Sequence, residues 1–179
     1  EYYYVDKTLL IRDIVDAESK VNLITRPRRF GKTLNMSMIQ RFFEKTKESN
    51  AYLFEGLKIS NAGEKYLKHQ GQYPVITISL KDMDKSDYES AFVFFKNAVT
   101  EEFGRHNCLK DSPELSESEK EKFLSIRDEM AKDIEYKSAL RFLSICLEKH
   151  FHEKVILLID EYDVPLENAH FNGFYDKMV

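Results

Sequence analysis

Val21-Asn22-Leu23-Ile24-Thr25-Arg26-Pro27-Arg28-Arg29-Phe30-Gly31-Lys32-Thr33 is the stretch on which the fold turns. Its first five residues form a short apolar run of strand type. The residues after Thr33 carry Leu34, Met38, Ile39, Phe42 and Phe43 and predict a helix to about residue 48. Strand, loop and helix with Gly-Lys-Thr at the junction is the order of a Walker A phosphate loop. A helix N-terminus turns backbone N–H groups toward an anion, and a glycine lets the backbone approach it. The lysine reaches the β- and γ-phosphates, and the hydroxyl beside it can ligate Mg²⁺. The full pattern has a further glycine five residues before Gly31, where this chain has Arg26. A side chain there strains the usual turn, and Pro27 offers a different way to fix the loop.

Gly-Lys-Thr alone is a weak signal, and an exposed lysine at a helix start explains it as well. Its partner lies far along the chain. Val155-Ile156-Leu157-Leu158-Ile159, the most apolar run present, ends in Asp160-Glu161-Tyr162-Asp163. Five apolar residues without alternation predict a strand buried on both faces, as in a parallel sheet covered by helices. An acidic pair closing such a strand matches a Walker B arrangement. The aspartate holds Mg²⁺ and the next carboxylate polarises an attacking water. By itself the pair could be an exposed loop start; both motifs, in order and on the right elements, predict a nucleotide site. Arg26, Arg28, Arg29 and Lys32 add four positive charges in seven residues. They suit a triphosphate, although pairing with surface carboxylates is the ordinary fate of such residues.

Other elements follow from local pattern. Residues 8–17 read as a helix with Leu9, Leu10, Ile14 and Val15 on one side, and 62–69 as a short helix. Residues 74–80 are β-branched and read as a strand. Ser86 and Glu89 have capping-box spacing before a helix through Phe103, with Phe92, Phe95, Val99 and Phe103 as its core face. Ser116 and Glu119 repeat that spacing before a charged helix over 117–132. Residues 138–151 form an amphipathic helix facing inward through Leu140, Leu143, Cys146 and Leu147. Strands alternating with helices make the class α/β. His150 and His152 lack a third metal ligand and read as exposed histidines at a helix end. Tyr2, Tyr3 and Tyr4 could stack on a base, but core packing is the expectation.

Composition narrows the function classes. The chain has 179 residues, 42% hydrophobic and 32% charged, enough for one core without staples. Lys+Arg 27 against Asp+Glu 31 gives a net charge of −4, which excludes a globally basic nucleic-acid binder. No apolar stretch approaches the ~18 residues of a membrane span. Cys108 and Cys146 make neither a disulfide framework nor a metal set and read as free thiols in a reducing, cytoplasmic compartment.

Tyr4-Val5-Asp6-Lys7-Thr8, Arg26 through Leu34, and Leu158-Ile159-Asp160-Glu161-Tyr162-Asp163-Val164-Pro165-Leu166 together resemble the bacterial AAA-ATPase-like family. The resemblance spans nearly the whole chain. It implies a P-loop NTPase three-layer α/β sandwich with a mostly parallel sheet over residues 1–179. It also accounts for Arg26, because the family looks to carry Arg-Pro-Arg-Arg-Phe in this loop. ATP and Mg²⁺ are the implied ligands and ATP hydrolysis the implied activity. Carried over, Arg28, Arg29, Phe30, Gly31, Lys32, Thr33 and Leu34 line the nucleotide. Lys32 contacts phosphate, Thr33 and Asp160 serve Mg²⁺, and Glu161 is the base. Asp6 and Lys7 match the upstream motif without an assigned role.

Members often continue into a C-terminal domain similar to PD-(D/E)XK nucleases, and nothing in this sequence corresponds to it. In this fold class a later strand also inserts between the Walker A and Walker B strands, bearing a polar sensor. No candidate strand follows Leu166. The expectation is therefore the N-terminal portion of a larger ATPase, cut before its last strands, sensor and arginine finger. A further domain or a second copy would complete it, and nucleic acid would enter only through such a domain. Two rivals stand beside hydrolysis. One is a nucleotide-gated switch without efficient turnover. The other is a P-loop phosphotransferase, which calls for an acceptor pocket and an arginine-rich lid that the sequence does not display.

Overall fold

Asp6 and Thr8 set the first element in place. Asp6 Oδ1 accepts from the Thr8 amide at 2.9 Å and the Thr8 hydroxyl at 2.6 Å, while Oδ2 accepts from the Lys58 amide at 2.7 Å. The buried Thr8 Oγ1 accepts from the Ile59 amide at 3.1 Å. These bonds tie the start of helix α1 (Leu9–Ala17) to a 3₁₀ turn at Lys58–Asn61. Ile11 and Ile59 are both fully buried. The structure, a computed structural model, describes residues 5–25 and 30–178. Its packing divides into two units, Glu1–Val75 and Ile76–Val179.

In the first unit, helix α2 (Lys32–Phe43) packs Phe42 edge-on against Phe43 and Phe54, at ring separations of 5.1 and 5.3 Å. The helix stops short of the expected residue 48 because its next residues are drawn into an extended pairing. The Lys45 amide donates to Tyr73 O at 2.8 Å, the Tyr73 amide to Phe43 O at 2.9 Å, and Glu44 and Tyr73 form a parallel bridge. Helix α3 (Glu64–Leu67) is shorter than the sequence suggested. The Lys65 ammonium and Tyr66 hydroxyl both donate to Asp16 of α1. These two hydrogen bonds, the lysine's first, hold the Asp16 carboxyl below the usual range.

Residues 21–25 are not a strand. Val21 is 81% exposed and Leu23 66% exposed. A strand exists only through a ladder, and no described residue pairs with this run.

The second unit, from Ile76 on, holds nearly all of a two-stranded parallel open sheet of β1 (Val75–Ser79) and β2 (Ile156–Asp160), the strand and helix mixture compatible with an α/β protein. Between these strands come α4 (Tyr88–Arg105), α5 (Glu117–Arg127), α6 (Asp133–Tyr136) and α7 (Ala139–Phe151). After β2 come α8 (Asp163–Phe171) and α9 (Tyr175–Met178). The core joins Ile76 and Ile78 of β1 to Val99 and Phe103 of α4, Phe123 and Ile126 of α5, and Leu143, Cys146 and Leu147 of α7. The expected inner faces of α4 and α7 are therefore present, with Leu140, Phe92 and Phe95 packed at the margin.

The N-cap of α4 is Asp87, which accepts from the Ser90 amide at 2.8 Å, rather than Ser86 with Glu89. A carboxylate one residue later competes for the same position and carries full charge toward the helix start. The box at Ser116 and Glu119 forms as expected. Helix α5 ends at Arg127, before Glu129 turns left-handed at φ 60°. Strand β2 departs from the expected burial on both faces: Ile156, Leu158 and Asp160 are half-buried, and Leu157 is 47% and Ile159 40% exposed. Apolarity on both faces does not itself supply a cover. At the outer edge of β1, buried Glu102 of α4 accepts from the Thr77 amide at 2.9 Å and lies 3.0 Å from His106 Nε2. A carboxylate thus stands where a third strand would bond.

Candidate functional site

Gly31 is the N-cap of α2 and is left-handed, φ 74° and ψ 31°. A Cβ there would meet only Lys7 Nζ, at 4.0 Å, so backbone handedness rather than crowding calls for glycine. The first bond of the helical ladder runs from the Asn35 amide to Gly31 O at 2.9 Å. Earlier amides therefore point out of the helix start, which carries partial positive charge. Lys32 is half-buried in that first turn, and Thr33, Leu34 and Phe30 are exposed. Arg26, Pro27, Arg28 and Arg29 lie outside the described residues, as do Tyr2, Tyr3 and Tyr4. Asn35, spelled like a glycosylation sequon with Ser37, is buried inside α2.

Asp160 ends β2. Its carbonyl accepts from the Leu80 amide at 3.0 Å, and its Oδ1 accepts from the Glu161 amide at 3.0 Å. Glu161 is left-handed at φ 52°, immediately after a strand. Such a conformation costs a residue with a Cβ about 1–2 kcal/mol. The other left-handed residues include Glu18 and His152, which end helices, where the conformation is ordinary. Glu161 instead makes a tight corner between β2 and α8, its carbonyl accepting from the Val164 amide at 3.2 Å. Residues held in such sparsely populated backbone regions cluster at functional sites.

The structure places Lys32 and Thr33 in the first unit and Asp160 and Glu161 in the second. Within each unit it joins residues that sequence reasoning had left apart. Lys7 Nζ donates to Phe30 O at 3.4 Å, which brings the Tyr4-to-Thr8 motif to the end of the loop. Burial raises the Asp6 carboxyl, but hydrogen bonds from Thr8 and Lys58 outweigh it and hold the group below the usual carboxylate range. The signal was present in Asp-x-Thr ahead of a helix, a local capping pattern whose long-range partners no spacing rule names.

Oxygen donors such as Thr33 and Asp160 suit Mg²⁺, which keeps several waters and takes few protein ligands. No cluster of three or more His, Cys, Asp or Glu able to hold a metal occurs among the described residues. His150 is part-buried, its Nδ1 2.8 Å from Ser112 Oγ, so it packs rather than standing free at a helix end; His152 is exposed. Cys146 is a buried thiol, and the exposed Cys108 donates its thiol hydrogen to His106 O at 3.7 Å. A cavity of about 390 Å³ beside β1 and α4 is lined by Thr77, Ser79, Asn97, Glu101 and Arg105 among others, and contains none of the residues expected to bind nucleotide.

The described residues thus present a glycine-opened helix bearing Lys-Thr in the first unit and an acidic corner after a strand in the second. The family described as Predicted AAA-ATPase matches residues 1–179, and the chain belongs to it. The chain is also 28% identical over 171 residues to a protein of Azotobacter chroococcum mcd 1 described as an uncharacterized protein in the vnfD 5′ region. That match covers 93% of this chain and 26% of the relative, so the chain spans about a quarter of the curated relative it matches. No solved structure matches. Among the described residues, no helix is long and apolar enough to cross a membrane.

Proposed function

We propose that residues 1–179 belong to a P-loop ATPase domain that binds ATP with Mg²⁺ and hydrolyses it. Membership of the Predicted AAA-ATPase family across the whole chain carries this reading. The left-handed Gly31 opening α2, with Lys32 and Thr33 in the first turn, supports it.

In this reading the α2 N-terminus and Lys32 bind the β- and γ-phosphates, with Arg28 and Arg29 adding charge and Phe30 and Leu34 flanking the loop. Thr33 and Asp160 are the residues that would each offer an oxygen to Mg²⁺, which when bound would supply charge neutralisation at the phosphates. Glu161 orients the water for in-line attack and accepts its proton. The left-handed corner fixes where its carboxylate leaves the backbone.

Phosphate release measured on the full protein tests the assignment. Glu161→Gln keeps the size and removes the base. It is expected to lower turnover at least about 100-fold while MgATP still binds. Unchanged turnover would remove Glu161 from the chemistry. MgATP binding without multiple turnover in the unsubstituted protein would point to a nucleotide-gated switch.

A further inference from the structure

Among the described residues neither Lys7 nor Lys32 forms an ion pair, as is also true of Lys20, Lys47 and Lys58; what sets Lys7 apart is its position. Lys7 is far from Lys32 in sequence, yet its ammonium stands 4.0 Å from the Cβ position of Gly31, the residue preceding Lys32. The Lys7 ammonium therefore stands beside the start of α2, whose outward amides carry partial positive charge, and an anion there would be met by both.

Lys7 is not carried there by a loose tail. Its neighbours Asp6 and Thr8 are locked by hydrogen bonds to Lys58 and Ile59, and Thr8 is fully buried. The backbone of Lys7 is therefore fixed and its exposed side chain is directed at the loop. The acceptor it has found, Phe30 O at 3.4 Å, is neutral and distant. An ammonium has three donors, and a 3.4 Å bond to a carbonyl is readily given up for a charged oxygen.

We propose that Lys7 is a second phosphate-binding cation of the Gly31–Lys32 loop, selecting ligands with a polyphosphate over those with a single phosphate. This deepens the ATP-binding reading and rests on it. The Asp6–Thr8 clamp is the device that delivers it, which gives the upstream motif a chemical purpose.

The test is calorimetric titration of this chain with MgATP, MgADP and AMP, for the unsubstituted protein, Lys7→Gln and Lys7→Arg. Glutamine keeps an N–H donor for Phe30 O and removes the charge. Lys7→Gln is expected to weaken MgATP and MgADP about tenfold and AMP less than twofold, as for a lost charge-assisted bond. Lys7→Arg should recover most of the loss. Thermal melting of each variant shows whether the fold is retained. MgATP binding by Lys7→Gln within twofold of the unsubstituted chain would overturn the proposal. So would equal losses for AMP and ATP, which would mark a structural role through Phe30. If the unsubstituted chain binds MgATP and only these contrasts fail, the inference about Lys7 falls alone. If it binds no nucleotide, the ATP-binding reading fails and takes this inference with it.

Discussion

Cys146 and Cys108 show how far burial alone governs a residue's chemistry. Cys146 sits in the core between α5 and α7, fully buried, and burial pushes its thiol up to about 11. The thiolate is the reactive form, so the thiol is inert while the unit stays folded. Cys108 is exposed. A maleimide applied to the native chain near neutral pH should label Cys108 within minutes and Cys146 only at the rate of unfolding. Equal labelling rates would contradict the packing of α7. Glu161 is the contrasting residue, where backbone strain rather than burial marks the position. Its identity was readable from the strand-then-acid order, but its left-handed conformation was not, because nothing in Asp-Glu-Tyr-Asp demands one.

At the scale of elements, buried and charged hydrogen bonds decide where helices begin. Thr8→Val keeps the shape but removes the hydroxyl that bridges Asp6 and the Ile59 amide. The amide is left buried without its acceptor, a cost of about 1–3 kcal/mol. Urea titration should show the midpoint falling accordingly, and an unchanged midpoint would mean the clamp contributes nothing. The α5 start makes a second prediction. The Lys149 ammonium at 2.6 Å, the first cause, and the Ser116 amide hold the Glu119 carboxyl at about 2, against 4.5 ordinarily. A carboxyl lowered by folding stabilises the native state above its ordinary value. That contribution disappears as pH falls from about 4.5 to about 2. The pair is partly solvated, so about 1 kcal/mol is its ceiling. Stability against acid should therefore flatten across that window in Glu119→Gln, and an unaltered pH profile would reject the pair.

Elements with local causes were legible in the sequence, and those with distant causes were not. The Ser116–Glu119 box and the inward face of α7 need only their own spacing, and both stand where the pattern put them. Helix α2 ends at Phe43 because Tyr73, thirty residues on, pairs with the chain just beyond it. The run 21–25 has strand composition but no ladder, and Leu157 and Ile159 have core composition but no cover. Composition states what a segment could bury, whereas pairing depends on which neighbours are present. The candidate site divides in the same way. Gly31, Lys32, Thr33, Asp160 and Glu161 were readable as motifs. The approach of Lys7 to Phe30 was not, since twenty-three residues separate them.

For the whole molecule, we propose nucleotide binding through the Gly31–Lys32–Thr33 loop, supported by family membership and by a glycine-opened helix start that carries a lysine. The most direct measurement is calorimetric titration of ATP, with and without Mg²⁺, into this chain and into Lys32→Ala. Saturable, Mg²⁺-dependent binding by the unsubstituted chain, weakened at least about 100-fold in a Lys32→Ala protein that still melts cooperatively, is the predicted result. Binding that survives Lys32→Ala unchanged, or none at all by the folded chain, would contradict it.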